Sequence, residues 1–268
     1  MRGFLAARAI EGVERVEPGF YTRSFQGGTL RLRPEGGGVL VEITSGAASA
    51  GLMARLRHVL DLDADLPAIN RHLSRDPVLA NLVNQRPGLR PPGGFEGFEL
   101  ALRAVLGQQI TVTAARILAG RLAGLCGTAI EADGLTRIFP TPAQVLEADL
   151  ASLGMPGSRR ATIKAVAQAA LDDPSLFLRG PDMAADLARL LVIKGIGPWT
   201  AGYIALRALR HADAFPAGDV GLLRTMTALD GTPRDPAALL ARAEVWRPYR
   251  AYAAQHLWMA DTGAPERD

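Results

Sequence analysis

Cysteine and lysine are nearly missing from this chain. Of 268 residues only one is cysteine, Cys126. No internal disulfide can form, and no cysteine-held zinc or iron–sulfur centre can assemble. The four histidines, His58, His72, His211 and His256, show no ligand spacing, so no catalytic metal or other cofactor is expected. No apolar run reaches the roughly 18 residues that span a bilayer, so no membrane partner is expected. The opening MRGFLAARAIEGVERVEP carries acidic residues soon after a short apolar stretch. That suits an amphipathic helix better than a secretory signal, and a reducing cytoplasm is the expected location. Lysine occurs only at positions 164 and 194, so the positive charge is nearly all arginine. A net charge of +3 permits nucleic-acid binding without demanding it.

What remains is an ordinary globular composition, 48% apolar and 21% charged. Residues 4–14 have a helical apolar period. FYTRSF, TLRLRP and VLVEIT then read as strands separated by glycine-rich turns. A helix is expected over 48–60. From residue 63 onward strand signals stop, and the Pro/Gly-rich stretch 86–97 reads as a linker. Helical periods follow: 98–127 with a turn at Gln108-Gln109, a helix capped by Thr141 with Pro142 in its first turn, then 158–172, 183–193, 198–210, 220–230 and 236–260. LGMPGSRRATI (153–163) weakly echoes IKGIGPWTAGYI (193–204).

The most specific segment is Lys194-Gly195-Ile196-Gly197-Pro198 between two expected helices. Two glycines two apart allow a sharp turn and close approach of a partner. Pro198 starts the next helix without wasting an N–H. The N–H groups at that start form an anion site suited to a phosphate, and Ile196 can fill the space between the helices. The same pattern also fits a tight turn between two helices with no ligand.

L-x-x-x-K-G-I-G-P-W-T-A-x-Y followed by D-A-F-P-A-x-D-x-G-L resembles the helix-hairpin-helix DNA glycosylase superfamily, in particular its 3-methyladenine glycosylase II branch. GFLAARAIEGVE, NQRPGLRPPG, FELALRAVLGQQIT, FPTPAQVLEADLASLGMPGSRR and VWRPYRAYAAQHLW extend the resemblance, in order, over nearly the whole chain. It implies a mainly α fold with a small N-terminal α/β domain and two helical lobes flanking an active-site cleft. The expected segments are 1–72 for the α/β domain, 97–211 for the lobe with the hairpin, and 73–96 with 212–268 for the other lobe.

Residue by residue, the resemblance makes Asp219 the catalytic aspartate. A carboxylate there would stabilise positive charge on the deoxyribose as the N-glycosidic bond breaks. Asp219 also reads as the N-cap of helix 220–230, and a helix start favours the ionised form. Asp213 reads as structuring the Phe215-Pro216 loop. Trp199, Tyr203 and Trp258 fall on the family's base-pocket positions, where aromatic faces attract an alkylated, cationic base once it is flipped out; core packing is the plain alternative. Gln109, with Gln108, falls where a wedge fills the gap left by the flipped base. Glutamine departs from the leucine of some members. Gly195, Gly197 and Thr200 would hold a DNA phosphate, and the carbonyls of Leu191, Ile193 and Ile196 a structural sodium or potassium ion.

Tryptophan at 199 stands where strand-cleaving members carry a lysine nucleophile. A monofunctional glycosylase is therefore expected, a monomer acting on double-stranded DNA that contains alkylated bases. The alternatives are a non-catalytic damage-binding module and a glycosylase/lyase for another lesion. The strand that usually precedes the GFLAAR helix has no counterpart before Met1. A sheet lacking one edge strand, a misplaced coding start, or a longer alkylation-response fusion would each account for that.

Overall fold

The computed structural model describes residues 1–47 and 51–261. The start of the helix expected over 48–60, and the end of the segment 212–268, lie outside the described residues. The chain opens with helix α1 (Arg2–Arg8), followed by strands β1 (Glu14–Glu17), β2 (Phe20–Phe25), β3 (Gly28–Glu35) and β4 (Gly38–Gly46). Helices α2 (Leu52–Leu60), α3 (Leu66–Leu73), α4 (Pro77–Gln85), α5 (Gly97–Leu106) and α6 (Val112–Cys126) come next. The hairpin β5 (Thr128–Ala132) and β6 (Leu135–Ile138) precedes α7 (Pro142–Glu147), α8 (Gly157–Asp172), α9 (Met183–Leu191) and α10 (Pro198–Arg207). The last elements among the described residues are α11 (Val220–Asp230), α12 (Pro236–Arg242) and α13 (Arg250–Ala260). The fold is mainly helical, and its larger sheet is antiparallel in the order β1-β2-β3-β4.

The helix expected over 4–14 stops at Arg8. Gly12 sits at φ +79°, and its carbonyl accepts from Thr136 and Arg137 N–H at 2.9 and 3.0 Å. Ile10 and Val13, which set the apparent helical period, are fully buried in this corner. Glu14 starts the unanticipated strand β1, pairing with Arg23. The expectation of no strands after residue 63 is also corrected. Asp133 and Gly134 take φ +54° and +73°, the two-residue turn that twists a hairpin correctly, and β5 pairs with β6.

The described chain forms two compact units. One comprises 1–56, 95–177 and 193–195, the other 57–94, 178–192 and 196–261. The first unit is cored by a buried charge cluster. Arg23 donates to Glu99 at 2.8 Å, and Arg103 donates to Glu99 and Glu14. Burial works to raise the Glu99 carboxyl, but Arg23 and Arg103 hold it below its ordinary value. Removing one partner of such a cluster leaves a buried charge uncompensated. Cys126 donates to the Leu122 carbonyl at 3.4 Å. Burial pushes its thiol up to about 11, so it stays protonated and unreactive at neutral pH.

In the second unit Asp65 and Asp76 cap α3 and α4. Asp76 also accepts from the indole of fully buried Trp246 at 2.9 Å. In the first unit Thr141 caps α7 in a reciprocal capping box with Gln144, and Pro142 is the first helical residue, as expected.

Candidate active site

Asp219 ends the loop Phe215-Pro216-Ala217-Gly218 and is the N-cap of α11, whose bounds match the expected 220–230. Its main-chain N–H donates to the Pro216 carbonyl at 2.9 Å, which fixes the entry of the chain. Its Oδ1 accepts from Leu222 N–H at 3.1 Å, the usual N-cap bond. The same oxygen accepts from the Trp258 indole N–H at 2.9 Å. Oδ2 accepts from the Trp199 indole at 3.0 Å. A carboxylate offers about four acceptor sites, so these three donors leave one, on Oδ2. Asp219 is half-buried. The carboxylate is thus fixed from three directions, by one main-chain and two indole N–H groups.

Trp199, Tyr203 and Trp258 come together in the second unit. Trp199 and Tyr203, one turn apart on α10, stack with centroids 5.5 Å apart and planes at 20°. Tyr203 meets Trp258 of α13 edge-on at 6.2 Å and 69°. All three are half-buried. The two indole N–H groups that a packed tryptophan must satisfy both end on Asp219, so the aromatic set and the carboxylate are one assembly. Asp213 belongs elsewhere: its carboxylate takes both Nε and Nη2 of buried Arg250 at 2.8 Å, which ties the loop to α13.

The turn between α9 and α10 has two unlike glycines. Gly195 lies at φ +90°, and a Cβ there would stand 1.9 Å from the Thr162 hydroxyl oxygen of α8. Gly197 is the N-cap of α10 at φ −95°, and a Cβ there would meet nothing within 4 Å. Internal packing therefore explains the first glycine and not the second. Ile196 is buried at 5% exposure. Thr200 is buried at 2% exposure, so its hydroxyl lies inside the protein and away from a surface phosphate.

Gln108 and Gln109 differ as well. Gln108 Nε2 donates to the Gly195 carbonyl at 3.1 Å, and its own carbonyl accepts from Arg159 of α8. Gln109 is exposed and held at φ +59°, a left-handed conformation uncommon for a residue with a side chain. The first is a clamp and the second a projecting side chain.

Residues 102–251 match the HhH-GPD superfamily base excision DNA repair protein family, and residues 1–96 match the AlkA N-terminal domain family. This chain is a member of the HhH-GPD superfamily. It is similar to a probable bifunctional transcriptional activator/DNA repair enzyme AlkA of Mycobacterium tuberculosis, 41% identical over 96% of this chain and 53% of the relative. It therefore spans about half the length of that curated relative. It is also similar to DNA-3-methyladenine glycosylase 2 of Escherichia coli, 34% identical over 99% of this chain and 94% of the relative. In fold it matches a solved 3-methyladenine DNA-glycosylase from Archaeoglobus fulgidus, TM-score 0.83, over 97% of this chain and 93% of that one, at 23% identity.

Three features of this HhH-GPD site were not anticipated. Gly221, the second residue of α11, has an ideal Cβ position 3.0 Å from Asp261 Oδ2, 3.1 Å from Asp219 Oδ1 and 3.5 Å from the Trp258 ring. Glycine inside a helix start is unfavourable, and here it admits the carboxylate. Asp261 in turn accepts from Arg224 Nε at 2.8 Å, anchoring the end of α13 to α11. Arg207, two turns beyond Trp199 on α10, has its guanidinium carbon 5.0 Å from the Tyr203 centroid and 4.9 Å from that of Trp258. The i, i+4, i+8 spacing Trp199-Tyr203-Arg207 was present in the sequence as its only signal.

Proposed function

We propose that this HhH-GPD chain is a monofunctional DNA glycosylase that excises alkylated bases from double-stranded DNA by hydrolysing the N-glycosidic bond. The observation that carries this reading is the Asp219 carboxylate, held by Trp199, Trp258 and Leu222 N–H groups beside an aromatic cluster. The name of the Escherichia coli relative supports the substrate class.

In this mechanism the C1′–N bond breaks and its electron pair leaves with the base. A base already cationic through ring alkylation leaves neutral, so the site needs no general acid. Positive charge builds on the deoxyribose, and Asp219 stabilises it through the unoccupied acceptor site on Oδ2. Water oriented by the same oxygen then adds to C1′, and its proton passes to the Asp219 carboxylate and from there to solvent. Trp199, Tyr203 and Trp258 form the surface that receives the flipped base.

DNA would be held through main-chain N–H groups at Gly195 and Gly197, where the start of α10 favours an anion, and Gln109 would fill the vacated stack. A structural sodium or potassium ion would fit the carbonyls of Leu191, Ile193 and Ile196. Leu191 ends α9, where carbonyls lack helical partners, and no group of three His, Cys, Asp or Glu that could hold a metal exists among the described residues. Lyase chemistry has no nucleophile in this reading. Position 199 is tryptophan, Lys164 donates to the carbonyls of Leu146 and Ala148 at 2.5 and 2.6 Å, and Lys194, just before the hairpin, is given no part in the chemistry. The proposed setting is a monomer in the cytoplasm, acting at the nucleoid. Among the described residues no helix is long and apolar enough to cross a membrane.

The test is to incubate the protein with methylated duplex DNA and identify what is released. Free methylated purines without strand cleavage are expected. Release of nothing overturns the glycosylase reading, and a covalent adduct trapped by borohydride overturns its monofunctional part.

A further inference from the structure

A second carboxylate stands behind that of Asp219. Asp261 Oδ2 and Asp219 Oδ1 lie 3.0 and 3.1 Å from one point, the ideal Cβ position of Gly221. The two oxygens are therefore separated by at most about twice that contact. At such range a like charge disfavours the ionised form of its neighbour, and Asp219 stabilises a developing cation only while ionised. One side chain offsets this. Arg224, a turn after Val220 on α11, donates Nε to Asp261 Oδ1 at 2.8 Å and Nη2 to Asp261 Oδ2. Paired donation of this kind is the geometry in which arginine holds a carboxylate most firmly. The bond to Asp261 keeps the guanidinium above its ordinary pKa, and the Asp219 charge acts on it in the same direction.

Other charged groups on the elements around Asp219 have partners of their own. Arg207 of α10 lies against the Tyr203 and Trp258 rings and donates to the Pro92 carbonyl at 2.7 Å. In the loop before Asp219, Asp213 binds Arg250 of α13 and His211 binds Asp186. Asp230, at the far end of α11, binds Arg242, and His256 of α13 bonds the Leu82 carbonyl near Arg86. Resting on the glycosylase reading above, we propose that Arg224 is a positioning residue for base excision: by neutralising Asp261 it lets Asp219 carry its negative charge beside a second carboxylate. Gly221 supplies the room, and the Arg224–Asp261 pair supplies the balance of charge. With Arg224 removed, Asp261 faces Asp219 uncompensated, and Asp219 takes up a proton at a higher pH than in wild type. With Asp261 removed, an unbalanced cation is left, and Asp219 stays ionised to a lower pH than in wild type.

The test is the pH dependence of single-turnover release of 7-methylguanine from duplex DNA. This base is cationic throughout the acid range, so the acid limb of the profile reports the protein. The proteins are wild type, Arg224→Gln, Arg224→Lys, Asp261→Asn and the double variant Arg224→Gln/Asp261→Asn. The midpoint of the acid limb is expected to rise by at least about 0.5 pH unit in Arg224→Gln and to fall by a similar amount in Asp261→Asn. It is expected to stay within about 0.2 pH unit of wild type in Arg224→Lys and in the double variant, where charge is balanced. Both single variants break the same bridge, so a purely structural role slows both alike or moves both limbs the same way. Either of those outcomes, or no shift in Arg224→Gln, overturns the inference. Where Arg224→Gln fails to fold, Asp261→Asn decides, and a limb there that does not fall overturns it equally. A wild type that releases no base at any pH overturns the glycosylase reading itself.

Discussion

The indole N–H of Trp258 donates to Oδ1 of Asp219 at 2.9 Å, so a ring that reads as pocket lining also aims the carboxylate. The two roles separate in Trp258→Phe, which keeps an aromatic face and removes the donor. Loss of a hydrogen bond to a charged group is worth about 1.5–3 kcal/mol, so kcat is expected to fall about tenfold to a hundredfold. KM should change little, as single-turnover and steady-state kinetics on a methylated duplex will show.

Gly221→Ala attacks the same carboxylate from behind. The new methyl would stand 3.0–3.1 Å from Asp261 Oδ2 and Asp219 Oδ1. One of the two must shift by a few tenths of an ångström, and displaced catalytic groups lose rate steeply. The expectation is a loss of at least about tenfold in kcat with the folded state intact, since alanine is the better helix former. Thermal unfolding and kinetics on one preparation check both halves.

The two hairpin glycines should fail differently. Gly195→Ala forces a side chain into φ +90° and against Thr162, which should cost at least about 2 kcal/mol of stability. Gly197→Ala has open space and should cost less than about 1 kcal/mol, the scale of an N-cap exchange. Its expected defect is weaker binding to abasic-site duplex. Denaturant unfolding and a binding titration distinguish the pair.

His256 is buried at 2% exposure, and its Nδ1 has no hydrogen-bond partner among the described residues. Burial, with help from the Arg86 charge, pushes its pKa down from 6.5 to about 4. The folded state therefore binds fewer protons than the unfolded state between these values. This contribution is complete above pH 6.5 and is lost as pH falls from 6.5 toward 4. Its size is about 3 kcal/mol. His256→Leu should flatten the fall in denaturant stability over that window, as denaturant unfolding of both proteins between pH 4 and pH 7 will show.

Several features were legible because local chemistry decided them. Thr141 with Gln144 and Asp219 at the start of α11 are capping signals that fold as they read. Ile10 and Val13 misled because a buried corner at Gly12 and a helical face place apolar residues at the same spacing. The β5–β6 hairpin carried a readable Asp133-Gly134 turn that the surrounding helical periods obscured. Arg207, Gly221 and the dual role of the tryptophans were not legible. Each depends on which side chains meet across α10, α11 and α13, and spacing along one helix does not say what lies opposite. Thr200 shows the same limit: its place beside the hairpin suggested a surface ligand, and the packing of α10 buries it.

The most direct measurement is release of methylated purines by wild type and Asp219→Asn, with binding to an abasic-site duplex followed in parallel. Asn keeps the size of the side chain and one acceptor oxygen but removes the charge. The account predicts base release by wild type, a fall of at least about a hundredfold in the variant, and binding within about threefold of wild type. Equal release by both proteins would contradict Asp219 as the charge-stabilising group.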